Sequence, residues 1–181
     1  MEEQLTEKNK ELIERCLEGD RKAHYSLYKL YSKSMYNVGY RIVNEQDEAE
    51  DVLQESFISA FRNLKNYRGD STFGAWLKRI VINKAINHIK KRRMVPLNEQ
   101  MDIEDETEEI HFDEFPYSID QVRAAIVKLP DGYRSVLSLY LIEGYDHQEI
   151  SEILGITEST SKSQFNRSKK KIREILEGGN L

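Results

Sequence analysis

Apolar side chains return every three or four residues along almost the whole of this chain, and that spacing leaves little room for anything but helices. Ala49, Val52, Leu53, Ser56, Phe57, Ala60, Phe61 and Leu64 share one face at that period. Asn66 to Ser71, with Gly69, breaks the pattern. A helix is then predicted from about Thr72 to Lys91, with Phe73, Trp76, Leu77, Ile80 and Val81 inward. Upstream, Leu27, Leu30, Tyr31, Val38 and Ile42 predict a long helix from about Arg21 to Val43. No period-two alternation is long enough for a strand, and no internal repeat is present. The expected fold class is all-α.

Periodicity is lost from Met94 to Tyr117, where Pro96 and Pro116 bracket a run with nine acids and no base. Such a segment buries too little apolar surface to offset its ordering entropy, so it is read as an acidic linker over 94–117. Two small helical domains, 1–93 and 118–181, are expected on either side. In the second, Ser118-Ile119-Asp120-Gln121 resembles a capping box opening a helix with Val122, Ala125, Ile126 and Leu129 inward. Pro130 opens the next, with Val136, Leu137, Tyr140 and Leu141 inward and Gly144 as its stop. Asp146 with Glu149 starts a short helix carrying Ile150, Ile153 and Leu154, which Gly155 ends. Thr157 caps a last helix reaching about Leu176, with Ser161, Phe165, Ser168, Ile172 and Ile175 on one side.

The net charge of −5 argues at first against a nucleic-acid partner. Its distribution removes that objection. Residues 1–93 carry 18 Lys+Arg against 14 Asp+Glu, and residues 118–181 nine of each, so the acidity sits in the linker. Residues 62–93 alone hold ten bases and one acid, Asp70.

Other classes find little support. No run approaches the roughly 18 apolar residues of a spanning helix. The acidic start Met1-Glu2-Glu3-Gln4 is unlike a secretory signal, and a lone cysteine, Cys16, permits no internal disulfide. A cytoplasmic protein without membrane insertion is expected. His24, His88 and His111 are scattered, Cys16 has no companion at zinc-site spacing, and no glycine-rich phosphate loop occurs. For His147 and Glu149, solvation and helix capping suffice. No catalytic residue, metal site or cofactor is expected.

Three constellations remain. Asp146 to Arg173 reads as a helix-turn-helix: a capped short helix, a turn on Gly155-Ile156, and a longer basic helix. Small Thr160 and Ser161 let the two helices approach. Outward Ser159, Thr160, Ser163, Gln164 and Arg167 could meet base edges and phosphates, with Lys162, Lys169, Lys170, Lys171 and Arg173 mainly on phosphates. The bland alternative is a helical hairpin with a solvated basic face. Secondly, Arg79, Asn83, Asn87 and Lys90 share one face of the Thr72–Lys91 helix, near Lys78, Lys84, Lys91, Arg92 and Arg93, where a phosphate backbone would be attracted. Tyr67, Phe73 and Trp76 beside it could stack on an unpaired base, although core burial explains Phe73 and Trp76 more simply. Thirdly, Glu45, Asp47, Glu48, Glu50, Asp51 and Glu55 form an acidic cluster. It suits either a helix N-terminus or docking to a basic partner.

The blocks Asp47-Glu48-Ala49-Glu50-Asp51-Val52-Leu53-Gln54-Glu55-Ser56-Phe57, Tyr67-Arg68-Gly69-Asp70-Ser71-Thr72-Phe73 and Trp76-Leu77-Lys78-Arg79-Ile80-Val81-Ile82-Asn83 resemble the σ2 domain of extracytoplasmic-function (ECF) sigma factors of bacterial RNA polymerase. Leu129-Pro130, with Tyr145 to Gly155 and the basic helix after it, resembles their σ4 domain. The resemblance covers nearly everything outside the linker, in the family's order. It implies an alternative sigma factor that binds core RNA polymerase, at the clamp of its largest subunit and the flap of the second, and directs it to promoter DNA. Asp51, Gln54 and Glu55 fall where the family meets the clamp. Tyr67, Arg68, Gly69, Asp70, Ser71 and Asn83 fall where it captures a flipped base of the minus-ten element, a step that unstacks the duplex. The last helix would read the minus-thirty-five element, and the linker's acids would imitate RNA in the polymerase channels. An anti-sigma partner is implied as well. Ser161 and Gln164 stand where relatives often have an aliphatic residue and an arginine, so no relative's promoter bases transfer. A dimeric helix-turn-helix regulator would explain the second half but not the basic helix at 72–93.

Overall fold

The computed structural model describes residues 2–92 and 116–178, with side chains from residue 9 onward in the first segment. All regular elements among them are helical. The chain divides into two compact units, with the boundary between Arg92 and Arg93.

The first unit contains α1 (Glu2–Leu17), α2 (Arg21–Val43), α3 (Gln46–Arg62), a single 3₁₀ turn (Leu64–Asn66) and α4 (Phe73–Arg92). The long α2 begins where Asp20 accepts hydrogen bonds from the amides of Lys22 and Ala23. Arg15 grips the same carboxylate at 2.7 Å, which ties the end of α1 to the start of α2 and holds Asp20 below the usual carboxylate range. Asn44 ends α2 in the left-handed region at φ 58°, a conformation that asparagine tolerates better than most residues. Glu45 then caps α3 by accepting from the Glu48 amide at 2.7 Å, so part of the acidic cluster serves the helix itself.

α2, α3 and α4 pack on one another around Leu27, Ile42, Val52, Phe73, Leu77, Val81 and Ile82. Each such side chain contributes roughly 2 kcal/mol on burial. A half-exposed ion pair contributes about 0.5 kcal/mol, so apolar packing holds this unit together. Ser56 joins that core at no cost in unmet polarity, because its hydroxyl donates to Val52 O at 2.6 Å. Helix α1, which the sequence pattern did not reveal, adds Leu12 and Cys16 to the core one turn apart. Some inward assignments need correction. Leu30 is 45% exposed, and Trp76 and Ile80 are half-buried, because the inner face of α4 runs through Ile82, Ala85, Ile86 and Ile89 instead.

The second unit contains α5 (Ile119–Val127), α6 (Asp131–Leu141), α7 (His147–Leu154) and α8 (Glu158–Glu177). Ser118 and Gln121 form a full capping box, as do Asp146 and Glu149. Gly155 adopts φ 71° and donates to Ser151 O at 2.9 Å, the sharp exit that α7 needs before Thr157 caps α8. In α6 the inward stripe differs from expectation. Arg134 through Leu139 are all buried, whereas Tyr140 is 38% and Leu141 61% exposed. α6 packs against both α7 and α8, so its middle is enclosed on several sides and helical period no longer sorts inside from outside there. Of the expected linker only Pro116 and Tyr117 lie within the described residues.

Candidate nucleic-acid interface

Arg79, Asn83, Asn87 and Lys90 all lie at least partly open to solvent on α4. At 100° per residue their spacing keeps them within an arc of about 80°, over about 17 Å of helix. Trp76, two turns before Asn83, lies on the same face and is half exposed. Its ring sits 5.3 Å from that of Tyr67, tilted by 46°. Phe73 lies beneath, 5.9 Å from Tyr67 and 5.7 Å from Trp76, and is only 2% exposed. Phe73 is therefore core, whereas Tyr67 and Trp76 form an accessible aromatic shelf at the start of a polar, basic stripe.

The loop that carries Tyr67 is closed by its own chemistry. The Tyr67 hydroxyl donates to Ser71 O at 2.6 Å. Gly69 stands at φ 78° with open space where a Cβ would be. Arg68, Gly69, Asp70 and Ser71 are exposed around this turn. Burial, and then the Asp70 carboxylate, raise the Tyr67 hydroxyl above its ordinary pKa, so it remains a donor near neutral pH.

Asp51, Gln54 and Glu55 are exposed together on the outward side of α3. Ile58, one turn on and 49% exposed, belongs to that stripe and was missed, although its spacing from Gln54 and Glu55 gave the signal. Glu55 lies 3.5 Å from Lys84 Nζ and 3.6 Å from His88 Nε2. Partial desolvation opposes its ionisation, but Lys84 and His88 prevail and Glu55 titrates below the usual glutamate range. Glu48 pairs with Arg92 at 3.0 Å. Acids of α3 and bases of α4 thus face each other along the helix pair.

In the helix-turn-helix, Ser159, Lys162 and Lys170 of α8 are exposed. Thr160, Ser163, Gln164 and Arg167 are more enclosed. Thr160 Oγ1 lies 2.7 Å from Thr157 Oγ1, within the N-cap, and Lys162 pairs with Glu158 at 2.8 Å. Gln164 was expected to face outward, but its Oε1 is buried. Only 60° of helical turn separates it from the packed Ser161. Asn166 is exposed beside Ser159, at the edge of the outward arc of Ser159, Ser163 and Lys170, and sequence reasoning passed over it. Ser161 is fully buried, with Oγ 2.9 Å from His147 Nδ1. His147 stacks on Tyr140 at 4.6 Å and meets Phe165 edge-on at 5.7 Å, so it is packed and not merely solvated.

The matches to known proteins follow this division. Residues 27–94 match the family model Sigma-70 region 2, and residues 119–172 match Sigma-70, region 4. The chain is 32% identical to the RNA polymerase sigma-H factor of Pseudomonas aeruginosa, across 94% of this chain and 95% of that protein. It is 30% identical to the ECF RNA polymerase sigma-E factor of Haemophilus influenzae, across 98% of each. Among solved structures, it resembles the sigma factor RpoE in complex with the anti-sigma factor NepR from Bartonella quintana, with a TM-score of 0.56 at 22% identity, covering 84% of this chain and 96% of that one. CnrH in complex with the cytosolic domain of CnrY gives a TM-score of 0.53 at 20% identity over 93% and 96%. These two share the fold.

Proposed function

The chain belongs to the extracytoplasmic-function sigma factors, and from that membership we propose how its exposed faces divide the work of initiation. It is an alternative sigma factor that directs transcription initiation. The reading of its sites rests chiefly on the α4 stripe, where the Tyr67–Trp76 shelf runs directly into Arg79, Asn83, Asn87 and Lys90. An unpaired base can stack on the exposed rings, since every base offers a π-face. Asn83 can hydrogen-bond a base edge, and Arg79 and Lys90 can hold the flanking phosphates. With Arg68, Gly69, Asp70 and Ser71 around the loop, this is the surface for the minus-ten element. Ser159, Lys162, Ser163 and Lys170, with Thr160, Gln164 and Arg167 at their margin, form the surface for duplex at minus thirty-five.

Asp51, Gln54 and Glu55, with Ile58 among them, dock the basic clamp of the polymerase's largest subunit, and the second unit engages the flap. An anti-sigma factor that covers either surface would silence the protein. The expected place of action is the cytoplasm; among the described residues no helix is long and apolar enough to cross a membrane.

Purified chain is incubated with core RNA polymerase at moderate salt, captured, and supplied with DNA from upstream of its own coding sequence. Stoichiometric capture with specific initiation is the expected result. Tight duplex binding by the chain alone, without capture of polymerase, would sink the reading in favour of a conventional repressor or activator.

A further inference from the structure

Glu55 of α3 and Lys84, Asn87, His88, Lys90 and Lys91 of α4 line one open hollow. Three lysines and a histidine there face a single carboxylate. Its ion pairs, at 3.5 and 3.6 Å, are well beyond the roughly 2.8 Å of a charge-assisted hydrogen bond. Glu55 and Lys84 are 46% and 35% exposed, so water screens both contacts and the carboxylate is held loosely. Lys90 and Lys91 are exposed and make no ion pair among the described residues. The hollow therefore keeps an excess of positive charge even with Glu55 in it. On the helical wheel Lys84 and His88 lie on the flank of α4 between the Asn83–Asn87 stripe and α3, so the hollow separates the DNA face from the docking face.

We propose that this hollow is a phosphodiester site which Glu55 occupies as a built-in competitor until DNA enters it. A phosphate with two non-bridging oxygens can meet Lys84 and His88 as the carboxylate does, and Lys90 and Lys91 add cations that Glu55 does not engage. Entry of the nucleic-acid backbone releases Glu55 to the polymerase. Conversely, polymerase contact with Glu55 frees Lys84 and His88 for DNA. The two partners then assist each other by equal factors, as linkage requires. This inference rests on the assignment of α4 to DNA and of Glu55 to polymerase. It adds a reason for the free protein to hold DNA poorly.

The test uses the full chain without polymerase and a labelled single-stranded oligonucleotide, read by fluorescence anisotropy across a salt series. Glu55→Gln should bind about fivefold tighter than wild type. Its log–log salt dependence should steepen by roughly 0.7 for each additional phosphate engaged. In a Lys84→Gln background the gain should shrink or vanish. No gain from Glu55→Gln, or an undiminished gain beside Lys84→Gln, would overturn the proposal, the latter by pointing to general charge removal. Lys90→Ala reports on the α4 assignment separately, because it should weaken binding whether or not Glu55 competes. The His88 ring resonances should move further on adding the oligonucleotide than on adding inorganic phosphate at matched ionic strength. Equal movement with inorganic phosphate would overturn the assignment to nucleic acid.

Discussion

His147 Nδ1 lies 2.9 Å from the hydroxyl of Ser161, which is completely buried, so α7 and α8 are joined by a polar contact between their packed faces. The buried hydroxyl of Ser161 is thus matched by the histidine facing it. Burial, and then Lys162, keep the His147 imidazole below its ordinary value against the opposing pull of Glu158 and Asp146. A histidine whose folded value is depressed stabilises the fold in its neutral form. That stability is complete above the unfolded value of about 6.5 and is lost as pH falls below it. Hydrogen-exchange protection of the α7 and α8 amides should therefore decline from pH 7.5 to 5.5, after correction for the intrinsic rate. The decline should be smaller in His147→Gln; equal declines would remove the histidine as its cause. Ser161→Ala should cost about 1 kcal/mol at pH 7.5.

Gly74 offers a sharper steric test. A Cβ there would come within 2.9 Å of Tyr31 Cε1. The Tyr31 ring cannot swing away freely, since it packs edge-on against Phe73 at 5.3 Å and its hydroxyl accepts from Asn9 at 2.7 Å. Gly74→Ala should destabilise the first unit by about 1–3 kcal/mol and alter Trp76 fluorescence through the shared Phe73 contact. A variant as stable as wild type, with unchanged emission, would show that the ring yields.

Except for α1, with its short inner face at Leu12 and Cys16, the helices were legible where one face was buried and the other wet. The span expected for α2, Arg21–Val43, is the one observed, and both capping boxes lie where Ser118–Gln121 and Asp146–Glu149 place them. Period fails where a helix is enclosed, as in α6, and it cannot say which tertiary neighbour a residue meets. Trp76 was counted inward because its type suits a core, yet its wheel position is that of Asn83. The acids of α3 and the bases of α4 were each visible, but not that Glu55 faces Lys84 and His88, because 29 residues separate the closer pair in sequence. The packing of Ser161 was visible from its side of α8, but its contact with His147 was hidden for the same reason.

Arg134 is a separate omission, since its partners are close in sequence and its burial comes from the enclosure of α6. It is 3% exposed, donates to Leu129 O at 2.7 Å and pairs with Asp131, and so holds the start of α6 to the end of the α5–α6 connection. Removing one partner of a buried pair leaves the other uncompensated, so Arg134→Ala should destabilise the second unit by about 3 kcal/mol. Arg134→Lys restores the charge without the two-pronged reach and should recover only part of that. Amide exchange in α5 to α8 reads both; full recovery by lysine would mean that charge alone matters.

The two faces of the first unit should separate by variant. Gln54→Ala with Glu55→Ala removes exposed groups of α3 whose packing contribution is small, so the fold should survive while core-polymerase affinity falls about tenfold, on the order of two exposed polar contacts at an interface. Intact affinity would remove the docking assignment. Asn83→Ala, on the outer face of α4, should leave polymerase affinity near wild type and reduce open-complex formation, because a lost hydrogen bond to an extruded base matters only once the duplex has opened. Permanganate reactivity of thymines in the melted segment measures that step directly. If Asn83→Ala instead lowers capture and melting by the same factor, the asparagine acts on polymerase assembly and the minus-ten surface lies elsewhere. A decline in both together with weaker amide protection in α4 would trace the effect to the helix itself.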